Sequence, residues 1–146
     1  MRYRQNYKRI FCILCLSLLI STLAAFAESE VSVYVNGSPV VADTPAVIQN
    51  GRAMLPFRSI LNALGVSNES ICWNAGSRSI EIRHEGTYIF LMIGSDFALV
   101  NDSPMTLESP PLIRDGRTLV PIRFISEALD AAVAWDAATK TVSITQ

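Results

Sequence analysis

Histidine and cysteine are scarce in this chain. Its 146 residues include one histidine, His84, and three cysteines. A transition-metal site needs several histidine, cysteine or carboxylate ligands, and a zinc-protease helix needs a second histidine that the pair His84-Glu85 lacks. The sequence also contains no serine-nucleophile elbow and no phosphate-cradling glycine loop. We therefore expect no metal, no cofactor and no catalytic residue, and predict that the protein is not an enzyme.

A hydrophobic run long enough to span a membrane is also missing. Four cations within residues 2–9 precede an apolar run over residues 10–20 and an Ala-Phe-Ala sequence at residues 25–27. This run is shorter than the roughly 20 apolar residues that a membrane span needs. The pattern is typical of a secretory signal peptide over residues 1–27, with a retained anchor as the competing interpretation. We expect a secreted or cell-surface protein that meets the membrane only through this segment during export.

Positive charge is in short supply after the signal peptide. Residues 28–146 contain eight Lys and Arg against 13 Asp and Glu, a net charge of −5. Nucleic-acid binding requires a basic footprint, so we expect no nucleic-acid partner. Cys12 and Cys15 fall within the predicted signal, which leaves Cys72 and no intrachain disulfide. The usual fate of a free cysteine is burial as a small hydrophobe, and we favour that for Cys72 over a reactive thiol.

The chain contains an internal repeat. Residues 36–64 match residues 101–129 at an offset of 65, with twelve identical positions and no gap. Past these segments the offset becomes 62, which aligns Trp73 with Trp135. A unit of about 60 residues is marginal as an isolated domain. We predict an α+β fold of two ββαββ-type repeats, about 31–93 and 97–146, with antiparallel sheets each packed on one short helix and a single shared core.

Turn and helix signals divide each repeat. Asn36-Gly37 is a strong hairpin signal of type I′, and Asn50-Gly51 predicts a second hairpin. A helix from Pro56 to Leu64 is expected, with proline at its first position and Gly65 closing it. The second repeat predicts the corresponding helix from Pro121 to Leu129. Residues 87–94 are apolar on both faces, which predicts a central strand covered on both sides at the junction of the repeats.

Two arginines and two tryptophans recur at matching positions. Arg58 and Arg123 lie in the first turn of their helices, where a cation is disfavoured and needs a partner. We favour a structural bond to a carboxylate, with Asp43, Glu108 and Asp136 as candidates, over an anion site for a wall polymer. Trp73 and Trp135 are predicted to pack in the core, with sugar-stacking platforms as the alternative.

One further apolar surface is predicted. Tyr88, Phe90 and Met92 alternate along residues 87–94. Buried beneath the second repeat, they belong to the core; exposed, they form a contiguous patch that marks a partner surface. The sequence leaves both alternatives open.

The recurring motif resembles a known family. It reads Gly-Arg, three residues, Pro, one residue, Arg, one residue, Ile, followed by a short helix and a Trp-Asn or Trp-Asp pair. Its members are Gly51, Arg52, Pro56, Arg58 and Trp73 in the first copy and Gly116, Arg117, Pro121, Arg123 and Trp135 in the second. This pattern resembles the copper amine oxidase N-terminal-like, or stalk, domain over most of residues 28–146. The chain departs from that pattern at Asp130, where the second repeat has no closing glycine.

The resemblance implies an α+β module of secreted and cell-surface bacterial proteins, separate from the domain that holds copper in the oxidases. Our first hypothesis is a non-catalytic structural or protein-interaction module of the bacterial envelope. The alternatives are a cell-wall carbohydrate or peptidoglycan-binding domain and, more weakly, an accessory domain of a separately encoded enzyme. The expected partner is a protein or cell-wall polymer of unknown identity, and an oligomer is compatible with the sequence.

Overall fold

The computed structural model describes residues 30–146, so the predicted signal peptide over residues 1–27 lies outside the described residues. Within 30–146 the chain forms thirteen strands, two α-helices and a 3₁₀ turn at Asn68–Ser70. The first strands and helix are β1 Ser32–Val35, β2 Ser38–Pro39, β3 Val47–Gln49, β4 Arg52–Pro56, α1 Phe57–Ala63, β5 Ile71–Asn74, β6 Ser79–His84 and β7 Thr87–Met92. The remainder are β8 Phe97–Val100, β9 Ser103–Thr106, β10 Leu112–Arg114, β11 Arg117–Pro121, α2 Ile122–Ala128, β12 Ala132–Asp136 and β13 Thr141–Thr145. The mixed, mostly antiparallel class predicted from the sequence is confirmed. No helix in this part of the chain has the length and apolar character to span a bilayer.

The central sheet has the strand order β10-β11-β4-β3 and is antiparallel throughout. Its two middle strands place Leu55 directly opposite Val120. On either side of this pair, Pro56 lies opposite Leu119 and Met54 opposite Pro121. Leu55 and Val120 are 65 residues apart, which is the offset at which the sequence recurs.

A second sheet joins the two ends of the described chain, in the order β12-β13-β1-β2. Strand β1 pairs with β13 in parallel, with Val33 opposite Val142 and Val35 opposite Ile144. The sequence did not predict this parallel pair, because no short turn connects strands that run in the same direction. The first and last strands of residues 30–146 are therefore held side by side by backbone hydrogen bonds.

The third sheet is antiparallel, in the order β5-β6-β7-β8-β9. Strand β7 lies at its centre, as predicted from its apolar composition. The prediction that β7 is covered on both faces, however, is wrong. Ile89 and Leu91 are fully buried, whereas Tyr88 and Phe90 are half-buried and Met92 is exposed. Successive side chains of a strand point to opposite faces, so one face of β7 meets the core and the other faces outward.

The buried apolar residues form one contiguous core. It takes Ile60 and Leu61 from α1, Ile125 from α2, and side chains from all three sheets. Both helices pack against the central strands β4 and β11. Cys72 is exposed, which corrects the expected burial. Its neighbour Ile71 takes the inward position on β5, and alternation turns Cys72 outward.

The helices begin one residue later than predicted. Pro56 and Pro121 were expected at the first helical position, but each is the last residue of its strand, with extended ψ angles of 126° and 116°. Pairing between β4 and β11 holds both prolines in the sheet. Gly65 ends α1 with a φ of +80°, as predicted. In the second repeat Asp130 takes the corresponding left-handed conformation with a φ of 60°.

Candidate functional site

Two open clefts flank the central sheet, and residues at matching positions of the repeat line both. The first, which we name the Trp135 cleft, has a volume of about 440 Å³. It is lined by Ile48, Gly51, Arg52, Ala53, Pro121, Ile122, Arg123, Val133, Trp135 and Val142. The second, the Trp73 cleft, has a volume of about 630 Å³. It is lined by Val41, Ala42, Asp43, Pro56, Phe57, Arg58, Ser59, Trp73, Gly116, Arg117 and Thr118.

All ten motif residues singled out from the sequence line these clefts, five in each. Each cleft combines the Gly-Arg turn of one sequence copy with the Pro, the Arg and the Trp of the other. In the Trp135 cleft, for example, the turn residues are Gly51 and Arg52, while Pro121 and Arg123 come from the second copy. Neither cleft can therefore be formed by one copy alone.

The two tryptophans differ in burial. Trp73 is half-buried and packs against the core. Trp135 has 41% of its surface exposed, so the prediction that it packs in the core is wrong. Both tryptophans lie on edge strands, Trp73 on β5 and Trp135 on β12, so strand position does not account for this difference. Trp135 sits opposite the buried Val142 of β13 and extends from the core into the cleft.

Arg52 and Arg117 form ion pairs across the sequence copies. The Arg52 guanidinium donates to Glu108, and the Arg117 guanidinium donates to Asp43. The hydrogen bond from Arg117 holds the pKa of the Asp43 carboxyl below its ordinary value, and the same bond raises the pKa of Arg117. All four side chains are about half exposed or more, so these pairs orient the turns more than they stabilise the fold.

Arg58 and Arg123 have other partners than those predicted. The Asp43 and Glu108 carboxylates are bound by the arginines of the turns, as described above. Arg58 donates to the side-chain oxygen of Asn68 at 3.2 Å and stacks over the Phe57 ring at 5.0 Å. Arg123 has a distant ion pair with Glu127, 3.9 Å between the nearest atoms.

The third predicted partner, Asp136, is bound within its own turn. Its Oδ1 accepts hydrogen bonds from the backbone N–H groups of Ala138 at 2.8 Å and Thr139 at 3.3 Å. These two bonds lower the pKa of the Asp136 carboxyl, because they favour its charged form. Asp136 therefore fixes the hairpin that carries Trp135.

The family model of the copper amine oxidase N-terminal domain matches residues 34–144, which include both clefts. The chain belongs to this family. A curated relative from Brevibacillus choshinensis, named "Protease inhibitor", is 28% identical over 106 residues. The match covers 71% of this chain and 31% of the relative, so the chain spans about a third of that protein's length. The family is an accessory N-terminal domain and not the catalytic domain.

The name of the family raises the question of a copper site in this N-terminal domain. Within residues 30–146 no group of three or more His, Cys, Asp or Glu side chains converges as metal ligands would. His84 is the last residue of β6 and lines neither cleft. The two clefts instead bring together arginine and tryptophan side chains.

The predicted partner surface lies on the outer face of the five-stranded sheet. Tyr88, Phe90 and Met92 share this face of β7, opposite the face that holds Ile89 and Leu91. Leu99 lies beside Phe90 on β8. The Arg83 guanidinium stacks 5.2 Å from the Tyr88 ring. Burial of the phenol raises the Tyr88 pKa, and the nearby Glu81 carboxylate adds to the shift.

Sequence reasoning missed one member of this outer face. Phe97 of β8 is two residues from Leu99, so strand alternation places both on the same face, and Phe97 is exposed. At the matching position the first copy has Ser32. A comparison of the two copies could have identified this replacement of serine by an aromatic residue.

Proposed function

We propose that this copper amine oxidase N-terminal domain is a non-catalytic interaction module of a secreted or cell-surface protein of the bacterial envelope. The observation that carries the proposal is the location of the ten motif residues. Pro56 and Pro121 are buried, whereas the four motif arginines are exposed and, with the two tryptophans, line two solvent-open clefts. Arginine and tryptophan are also the side chains that most often dominate the energetics of protein recognition sites.

The clefts follow from a proposed arrangement of two repeats around a local two-fold axis. This axis would pass between Leu55 and Val120, because these equivalent residues lie opposite each other. The ion pairs support this axis. Asp43 and Glu108 are also 65 residues apart, and each binds an arginine of the other copy. On this arrangement β7 is the connecting strand between the repeats, inserted between β6 and β8. The same axis generates two equivalent clefts.

Export is part of the proposal and rests on the N-terminal sequence. Cations followed by an apolar run and an Ala-Phe-Ala site are the features that the secretion machinery reads. We place the domain outside the cytoplasmic membrane on these grounds.

Cell-wall carbohydrate binding is the second candidate function. The exposure of Trp135 within a cleft favours it, because a tryptophan ring offers a flat apolar surface beside polar groups. A protein partner remains the first candidate. The name of the Brevibacillus relative adds a protease to the proteins worth testing, and an accessory role for a separately encoded enzyme is the weaker alternative.

One experiment separates these candidates. The secreted protein is incubated with purified cell-wall sacculi and, in parallel, with the solubilised envelope and medium proteins of the same bacterium, which are then identified after cross-linking. Trp135→Ala tests the cleft, and Met105→Ala, another exposed apolar side chain that lines neither cleft, is its matched control. Retention on sacculi, or cross-linking to one reproducible protein, that Trp135→Ala abolishes and Met105→Ala preserves supports the proposal. No retention and no cross-linked partner overturns it.

A further inference from the structure

The two clefts are lined by matching motif residues but differ in charge. The Trp135 cleft is lined by two arginines, Arg52 and Arg123, and by no acidic residue. The Trp73 cleft is lined by two arginines and by Asp43, whose carboxylate binds Arg117 within the cleft itself. The repeat has therefore produced one cleft with an internal anion and one without.

The arginines of the Trp135 cleft also differ in availability. Arg52 is held by Glu108, which lies outside the lining of the cleft. Arg123 is 3.9 Å from Glu127, beyond the range of a good hydrogen bond, and its side chain is 55% exposed. The Arg123 guanidinium therefore retains donors for an incoming anion. Its counterpart Arg58 is engaged by Asn68 and Phe57 in the Trp73 cleft.

We infer that the Trp135 cleft binds a carboxylated sugar, with the pyranose ring stacked on Trp135 and its carboxylate bound by Arg123. This inference rests on the proposed function as an interaction module and names the ligand class of one cleft. The face of an indole ring carries partial negative charge, which attracts the polarised C–H groups of a pyranose. A guanidinium binds a carboxylate through two parallel hydrogen bonds, which adds geometric selectivity to charge.

The apolar walls of the cleft suit the same ligand. Four aliphatic residues line the cleft together with Trp135: Ile48, Ile122, Val133 and Val142. A volume of about 440 Å³ lies within the usual range for small-ligand sites. Carboxylated pyranoses occur in wall polymers that contain uronic acids and, as N-acetylmuramic acid, in glycan strands freed of the stem peptide, which in intact peptidoglycan is amide-bonded to that carboxyl. Both sources present the ring and the carboxylate that the cleft accommodates.

In the test, the full secreted protein is titrated with two matched pairs of sugars, and binding is measured by saturation-transfer NMR. N-acetylmuramic acid is compared with N-acetylglucosamine, which has the same ring without the lactyl ether that bears the carboxylate, and glucuronic acid is compared with glucose. We expect the acid of at least one pair to bind about tenfold more tightly than its neutral counterpart. The pair that shows this preference identifies the source. Raising the salt concentration should reduce the preference.

Variants assign the binding to one cleft. Arg123→Gln should lower the affinity for the acid to that for the neutral sugar. Arg58→Gln, at the matching position, should leave the preference for the acid unchanged. Both side chains are on the surface, so these variants test the inference even where Trp135→Ala lowers stability. Trp135→Phe keeps an aromatic ring at this position. It should weaken the binding of both sugars without removing the preference for the acid.

Several outcomes would overturn the inference. Equal binding of acid and neutral sugars does so, as does an equal loss in Arg58→Gln and Arg123→Gln. No sugar binding at millimolar concentration, together with retention on sacculi or a cross-linked protein, rejects the ligand class and leaves the interaction module intact. Binding of a peptide with a free carboxyl terminus in place of any sugar assigns the cleft to peptides. Failure of the sugars, sacculi and proteins alike rejects the proposed function as well.

Discussion

Leu55 lies directly opposite Val120 at the centre of the sheet that joins the two sequence copies. Both side chains are buried in the common core, Leu55 with 2% of its surface exposed and Val120 with none. The pair connects the stability of one copy to that of the other, because neither residue can be exposed without opening the strand pair β4–β11. A core of this kind should unfold as a unit.

Leu55→Ala is expected to lower the free energy of unfolding by about 2 to 5 kcal/mol, because it deletes buried methyl groups and leaves a cavity. The whole domain should still unfold in one transition, with the calorimetric enthalpy equal to the van't Hoff enthalpy. Differential scanning calorimetry and urea titration measure both quantities.

Ile48→Ala is the control for this substitution. Ile48 lies on the adjacent strand β3 and is 48% exposed, so its truncation should change stability by no more than about 0.5 kcal/mol. Two separate transitions in Leu55→Ala, with only one of them shifted, would show that the halves fold independently and contradict the shared core.

Asp130 offers a stabilising substitution. It follows α2 with a φ of 60°, where an L-residue is strained, while the first copy has Gly65 at the same place. Asp130→Gly should raise the free energy of unfolding by about 0.5 to 1 kcal/mol because glycine removes this strain. Chemical denaturation at neutral pH measures the gain.

The reverse substitution provides the matched comparison. A Cβ added at Gly65 would meet no atom within 4 Å, so Gly65→Ala introduces backbone strain without a steric clash. It should lower stability by about 1 to 2 kcal/mol. If Asp130→Gly lowers stability instead, the Asp130 side chain stabilises the fold by more than the backbone strain at this position costs.

The short-range features of this fold could be read from the sequence because adjacent residues determine them. Asn36-Gly37 and Asn50-Gly51 adopt positive φ at both residues, as a two-residue hairpin requires. Gly65 closes α1 through the left-handed conformation that glycine allows. The apolar composition of β7 correctly indicated a central strand, although only one of its two faces is covered.

Features that depend on which strands become neighbours could not be read in the same way. The partners of Arg52 and Arg117 are 56 and 74 residues away in sequence. Their carboxylates, Asp43 and Glu108, nevertheless stand at the repeat offset of 65, a signal that could have identified them. Trp73 and Trp135 both lie on edge strands, β5 and β12, so neither the local sequence nor the strand position distinguishes the half-buried ring from the exposed one.

The Asp43–Arg117 ion pair should make stability depend on acid pH. The pKa of Asp43 is lowered in the folded protein, chiefly by the hydrogen bond from Arg117, so the unfolded chain binds more protons in the acid range. The stability that this carboxylate contributes is present above its ordinary pKa of about 3.9 and is lost as the pH falls through its lowered folded value. Asp43→Asn should therefore flatten the loss of stability below about pH 5, measured by urea titration.

A double-mutant comparison isolates this effect from the remaining carboxylates. In an Arg117→Gln background the partner of Asp43 is gone, so adding Asp43→Asn should produce little further flattening. The same flattening in both backgrounds would show that the acid dependence of Asp43 does not come from Arg117.

Fluorescence quenching should distinguish the two tryptophans. Trp73→Phe leaves Trp135 as the emitter, and Trp135→Phe leaves Trp73. Because Trp135 is exposed and Trp73 is half-buried against the core, the neutral quencher acrylamide should quench Trp135 more strongly. Iodide should enlarge the difference, because an anion is attracted to the Arg123 guanidinium, which lines the Trp135 cleft and has only a distant carboxylate partner.

Salt and a charge variant complete this measurement. Sodium chloride at 1 M shortens the screening length to about 3 Å, so the additional quenching by iodide should disappear while acrylamide quenching stays the same. Arg123→Gln in the Trp73→Phe background should reduce iodide quenching for the same reason, since it removes the most available cation of the cleft. Equal quenching of both tryptophans by acrylamide would contradict the assigned exposure. Iodide quenching of Trp135 that changes neither with salt nor with Arg123→Gln would show that the cleft does not attract anions.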